Sequence, residues 1–151
     1  MQAESAAQIE QVRELFLEYA NSLGFSLCFQ SFDHELASLP GDYAPPEGRL
    51  LLAEYEDRAA GCVALHKLSS DVCEMKRLYL RSEFRGKGLG RVLCERVLSE
   101  ARAIGYRHLR LDTVEPIMKD AVALYRRIGF REIDPYRTNP IAGALYMELD
   151  L

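Results

Sequence analysis

Residues 84–93, FRGKGLGRVL, set Gly86, Gly88 and Gly90 at the mouth of an amphipathic stretch. Glycine inside a helix costs up to about 1 kcal/mol relative to alanine, so this placement marks a turn where the backbone must be bare. The segment before it, VCEMKRLYL (72 to 80), reads as a strand. After it, Leu89, Leu93, Val97, Ala101 and Ile104 follow helical spacing up to Gly105. A strand, a glycine turn and a helix start together form a device for holding phosphate. The first helical N–H groups lack intrahelical partners and carry the positive end of the macrodipole. Positions without side chains let a pyrophosphate approach those donors. Arg85 and Lys87 add charge at the rim, and residues 76–96 hold seven basic side chains against two acidic ones.

The rest of the chain supplies alternating elements. Ile9, Val12, Phe16, Tyr19 and Leu23 mark a helix over residues 5 to 23, and FDHELASL (32 to 39) a second, short one stopped by Pro40-Gly41. RLLLAEY (49 to 55), AAGCVALHKL (59 to 68) and residues 72 to 80 read as three strands around short polar turns. RHLRLDT (107 to 113) alternates as a strand does. MKDAVALYRRI (118 to 128) is a helix capped by Gly129, and REI (131 to 133) and GALYMELDL (143 to 151) are closing strands. No repeat or linker interrupts the pattern. The expectation is a single α/β or α+β domain over residues 1–151, with a central mixed, mostly antiparallel sheet flanked by about four helices.

Composition narrows the function. A net charge of −4 weighs against general nucleic-acid affinity. No run approaches the ~18 apolar residues of a membrane span. MQAESAAQIEQV lacks the basic-then-apolar pattern of a secretory signal, so a cytoplasmic location is expected. Cys28, Cys62, Cys73 and Cys94 show no C-x-x-C spacing and read as reduced, buried thiols; His34, His66 and His108 stand apart, so no metal site is expected.

The phosphate ligand is narrowed by what the turn is not. It lacks the G-x-x-x-x-G-K-[ST] pattern of nucleoside-triphosphate loops and the G-x-G-x-x-G of dinucleotide-binding folds. Instead R-G-K-G-L-G resembles the R/Q-x-x-G-x-G/A signature of the GNAT N-acetyltransferase superfamily, through Arg85, Gly88 and Gly90. A second block, ALYRRIGFREI (123 to 133), resembles that family's A-x-x-LY-x-x-x-GF pattern, and the likeness covers roughly residues 48 to 150.

The resemblance implies acetyl-CoA as co-substrate, with its pyrophosphate on the amides of Gly86, Lys87, Gly88, Leu89, Gly90 and Arg91 beside Arg85. It implies that the pantetheine arm pairs with the backbone of Leu78, Tyr79 and Leu80, which requires that strand to splay from the next one. Met118 stands where relatives often carry an asparagine that contacts CoA, leaving apolar contact there. Tyr125 matches the family tyrosine that protonates the departing thiolate. Glu74 lies where several relatives place a catalytic base, with a structural ion pair as the competing reading.

The acceptor pocket would draw on Phe25, Phe29 and Gln30, and on Tyr136, Arg137 and Asn139, with Arg137 suited to a carboxylate. The implied activity is direct transfer of an acetyl group, in a ternary complex, to a primary amine of a small molecule, amino acid or peptide. A non-catalytic acyl-CoA sensor is the alternative. The family's first strand has little room in MQAESAA, so it is missing, short or lent by another chain, an arrangement that would favour a homodimer.

Overall fold

The computed structural model describes residues 1–24 and 31–151. The chain order is α1 (Ala6–Ser22), α2 (Phe32–Ser38), β1 (Arg49–Tyr55), β2 (Arg58–Lys67), β3 (Val72–Leu80), α3 (Leu89–Ile104), β4 (His108–Val114), α4 (Lys119–Ile128), β5 (Arg131–Ile133) and β6 (Ala144–Asp150). Short 3-10 turns at Gly41–Tyr43 and Ser82–Phe84 fill two of the connections. The expected order of elements holds throughout.

Local chemistry explains the element ends. Ser5 opens α1 with a capping box: its Oγ accepts from the Gln8 amide at 3.1 Å, and Gln8 Oε1 accepts from the Ser5 amide at 3.1 Å. Gly105 and Gly129 close α3 and α4 in left-handed conformations.

Six strands form one sheet in the order β1-β2-β3-β4-β6-β5. Every neighbouring pair is antiparallel except β3 and β4, which run parallel. Both faces are covered, which is why RLLLAEY reads as an unbroken apolar run rather than an alternating one. Leu50 and Leu52 face Val12, Leu15 and Phe16 of α1, together with Phe32 of α2. Leu51 faces the opposite layer, where Leu93, Cys94, Val97 and Ala101 of α3 meet Leu124 and Tyr125 of α4. Cys62, Cys73 and Cys94 are free thiols inside these layers. Burial pushes the Cys62 thiol up, and those of Cys73 and Cys94 to about 12, so all three stay protonated.

Before α1 the chain makes a single isolated bridge to β1 rather than a strand. Gln2 bridges Leu51 in antiparallel fashion, flanked by bonds from the Ala3 amide to the Leu50 carbonyl and from the Leu52 amide to the Met1 carbonyl, each 2.8 Å.

Two irregularities of β3 shape the middle of the sheet. Between the pairs Cys62↔Tyr79 and Ala64↔Lys76, β3 carries one more residue than β2, so it bulges. Arg77 sits in that bulge at φ 62°. On its other side, β3 pairs with β4 only at Val72↔His108, Cys73↔Leu109 and Glu74↔Arg110. Beyond Glu74 the strands part, leaving an open wedge between them.

Candidate active site

The wedge opens into a groove of about 860 Å³. Its walls are the unpaired reaches of β3 and β4, and its mouth is the start of α3 on one side and α4 on the other. The sheet is thus interrupted where an extended ligand could lie against main-chain groups of Leu78, Tyr79 and Leu80, which all line the groove. The splay required at the sequence level is present.

At the mouth, the N–H groups of residues 86–91 donate to no described residue; the first helical bond closes from the Val92 amide to the Gly88 carbonyl at 3.2 Å. Gly86 and Gly88 have φ of 79° and 78°, values that L side chains adopt only under strain. A Cβ at either position would meet nothing within 4 Å. Bareness at Gly86 and Gly88 therefore follows from the left-handed backbone of the turn and not from crowding, since the space beside it is open. Unpartnered main-chain donors at a helix start are the kind of group that can receive an anion.

Four of the seven basic side chains of the run are engaged by carboxylates. Arg77 donates twice to Glu35, each bond 2.9 Å, and Arg81 binds Glu18 at 2.7 Å. Arg91 pairs with Glu95 and Arg96 with Glu100, each along α3. Arg85 donates from Nε to the Leu80 carbonyl at 3.0 Å, tying the turn to the end of β3, and its guanidinium lies 5.9 Å from the Tyr79 ring centre. Lys76, Arg85 and Lys87 form no ion pair with a described residue, and Arg85 lines the groove beside the turn. Lys87 projects over the Tyr55 ring at 5.2 Å.

Tyr125 lies on the buried face of α4, lines the groove, and touches Phe130 with ring centres 5.5 Å apart. Its hydroxyl bonds to no described residue, and burial pushes its pKa well up, so it stays a neutral donor. Tyr19 of α1 lines the same groove and is raised to about 12, chiefly by burial. Met118 stands at the start of α4, and its sulfur accepts from Thr113 Oγ1 at 3.0 Å.

Glu74 sits at the vertex of the wedge, fully buried. Oε1 meets His66 Nε2 at 2.7 Å, while Oε2 accepts from Tyr136 Oη at 2.7 Å and Arg137 Nη2 at 2.6 Å. Burial alone would raise its pKa. The His66 bond, Lys76, Arg137 and the Tyr136 bond outweigh that and hold it at about 2. Both oxygens are committed, and the carboxylate has little affinity for a proton.

Asn139 binds the other carboxylate of this region, donating from Nδ2 to Asp112 Oδ2 at 3.1 Å. The structure thus brings Tyr136, Arg137 and Asn139 together beside the wedge. Phe25, Phe29 and Gln30 lie outside the described residues. Asp112, Lys76, His66 and Tyr19 join the site without having been singled out in sequence. For Asp112 and Lys76 the usable signal was their place on the strands flanking the splay.

Elsewhere, His108, Glu148 and Asp150 bring ligand-type atoms within 4.8 Å of one another. Arg110 and Arg131 already occupy Glu148, at 2.7 and 2.6 Å. No helix among the described residues is long and apolar enough to cross a membrane.

Comparison with known proteins is decisive at this point. Residues 9–130 match the Acetyltransferase (GNAT) family. The chain belongs to that family. It is similar to an uncharacterized N-acetyltransferase of Schizosaccharomyces pombe, 39% identical over 145 residues that make up 95% of this chain and 88% of the relative. An acetyltransferase from Streptococcus agalactiae shares the fold at a TM-score of 0.80 with 21% identity, covering 100% of this chain and 96% of the other. A GNAT family acetyltransferase from Elizabethkingia anophelis, solved with acetyl-CoA bound, aligns at a TM-score of 0.62 with 23% identity, covering 81% of this chain and 82% of that one. The protein is a GNAT N-acetyltransferase enzyme, with the single splayed sheet and four helices described above.

Proposed function

We propose that this N-acetyltransferase binds acetyl-CoA along the β3–β4 wedge and passes the acetyl group directly to a primary amine of a small molecule, amino acid or peptide. The observation that carries the reading is the wedge itself, with six unpartnered amides of residues 86–91 at its mouth. The diphosphate rests on those amides and the pantetheine runs beside Leu78, Tyr79 and Leu80 as a surrogate strand. The thioester then lies near the vertex of the wedge, between Tyr125 and the carboxylates of Asp112 and Glu74.

Transfer needs a neutral amine, a stabilised oxyanion and a protonated leaving thiolate. An alkylammonium has a pKa near ~10, so a carboxylate beside it helps remove the proton. Asp112 suits that part: it lines the groove, and Asn139 holds only its Oδ2. Glu74 suits the structural part, because His66, Tyr136 and Arg137 use both of its oxygens. The amine nitrogen attacks the thioester carbonyl, a main-chain N–H of the β3 bulge region receives the oxyanion, and the C–S bond breaks. Tyr125 donates its proton to the departing sulfur and is reprotonated as Asp112 gives up, by way of solvent, the proton taken from the amine, yielding free CoA and the N-acetylated amine.

The test is a co-crystal with CoA and a thiol-release screen against amino acids, polyamines, aminoglycosides and peptides. Diphosphate density on residues 86–91 and turnover of an amine are expected. A diphosphate lodged elsewhere refutes the placement.

A further inference from the structure

Next to the groove is a second cavity of about 420 Å³, whose walls include Glu35, Asp42, Tyr43, His66, Lys76 and Arg137. Lys76 lines both cavities and so stands where the co-substrate groove meets this chamber. Matching the charges around the chamber leaves a remainder. Glu35 is bound at both oxygens by Arg77, and Glu74 by His66, Tyr136 and Arg137. Asp42 is exposed at the rim. Lys76, half-buried, makes no hydrogen bond or ion pair with any described residue. Residues 25–30, FSLCFQ, contain no carboxylate that could serve it.

Withdrawing an ammonium from water without an opposite charge is costly, and proteins ordinarily pair such groups. The cost shows in Lys76 itself, whose pKa falls to about 8: burial and then Arg77 push it down, and the attraction of Glu74 and Glu35 offsets them only in part. Arg137 is the second cation of the chamber. Glu74 engages its Nη2, and a guanidinium has five N–H donors in a planar fork, so others remain for a ligand. Across the vertex, Asp112 has an oxygen that Asn139 does not hold. The arrangement has opposite signs at its two ends: a carboxylate on the groove wall and a pair of cations in the chamber.

Building on the function proposed above, we infer that the acceptor is a small amine bearing its own carboxylate, an amino acid, whose amine faces Asp112 and whose carboxylate is held by Lys76 and Arg137. The ligand gives Lys76 a directly bonded carboxylate, which Glu74 and Glu35, both engaged by other groups, do not. A chamber of about 420 Å³ has room for one such molecule.

The experiment compares matched acceptors: a series of amino acids, their amides, and the corresponding decarboxylated amines, each assayed for thiol release with acetyl-CoA at saturation. The amide's amine is less basic and more often neutral, so preference for the free acid cannot arise from intrinsic reactivity. The free acids are expected to exceed both counterparts at least tenfold in kcat/KM. Lys76→Met should lower that ratio at least tenfold, Lys76→Arg should restore most of it, and circular dichroism with Tm checks that both variants fold. Should both unfold, the wild-type ratios still decide. Equal rates, a preference for decarboxylated amines, or an unaltered ratio in folded Lys76→Met overturns the assignment. So does acetyl-CoA binding, seen by calorimetry, with no free acid acetylated. Failure to bind acetyl-CoA would instead remove the proposed function, and this inference with it.

Discussion

Gly88→Glu, set against Gly88→Ala, isolates the contribution of the phosphate site. Gly88 has φ 78°, so any L side chain there strains the backbone by about 1–2 kcal/mol whether or not ligand is bound. In a domain of this size about 1 kcal/mol corresponds to roughly 2–4 °C, so both variants should melt about 2–8 °C early. Charge distinguishes them. The new side chain projects into open space beside the free amides of residues 86–91, where the diphosphate is proposed to sit. A carboxylate about 6 Å from two phosphate charges costs about 1.4 kcal/mol at the dielectric of water and about 5.5 kcal/mol at an effective dielectric of about 20. An open groove mouth lies between those limits, at about 3 kcal/mol, or roughly 150-fold in affinity. Calorimetry with acetyl-CoA should show Kd rising less than tenfold for Gly88→Ala and at least a hundredfold for Gly88→Glu. The gap between them should narrow as salt screens the repulsion. Equal Kd values for the two variants, or a Gly88→Glu value within twofold of wild type, would place the diphosphate elsewhere.

Tyr125→Phe should lower kcat about tenfold to a hundredfold without abolishing turnover, since a thiol of pKa ~8.5 leaves tolerably well unaided; thiol release at saturating acetyl-CoA measures this, and an undiminished kcat would exclude the tyrosine as acid. Glu74 is held at about 2 against an ordinary 4.5, so its folded form is the more acidic one. Its stabilisation is complete above about pH 5 and is lost as pH falls toward 2, about 3 kcal/mol in all. Denaturant melts across that window should show the loss in wild type and a flatter profile in Glu74→Gln, and parallel profiles would contradict the network. Arg77→Met leaves Glu35 without its two guanidinium bonds and should cost about 3–5 kcal/mol by urea denaturation, whereas a loss below 1 kcal/mol would mean the pair contributes little.

Much of the scaffold was legible because its signals are local. The helix expected over residues 5 to 23 appears as Ala6–Ser22, and the strand expected over 72 to 80 appears as Val72–Leu80. Apolar periodicity and capping chemistry set these spans, and both operate within a few residues. The wedge was not legible, because it depends on where two strands separated by α3 stop pairing, and nothing within either strand marks Glu74 as the last contact. The partners of the basic run were hidden for a related reason. Arg77 and Arg81 look like neighbours of the glycines, but their partners, Glu35 and Glu18, lie 42 and 63 residues away in the chain. Arg137, expected at an acceptor's carboxylate, also binds Glu74, a partner 63 residues away that its own sequence neighbourhood does not announce. Nothing in that crowd sets Lys76 apart in sequence, because its distinction is the absence of a bonded partner among the described residues, which only three-dimensional neighbours reveal.

The parting of β3 and β4 exposes a raw seam in the middle of a sheet, where other proteins keep such edges at the perimeter, blunted or covered. Any extended chain could zip into it. What protects this one is its confinement: helices α3 and α4 flank the opening, and the bulge at Arg77 throws the strand out of the regular step that another polypeptide would need to follow. The irregularity that would leave room for the proposed pantetheine arm thus also guards the fold against its own kind.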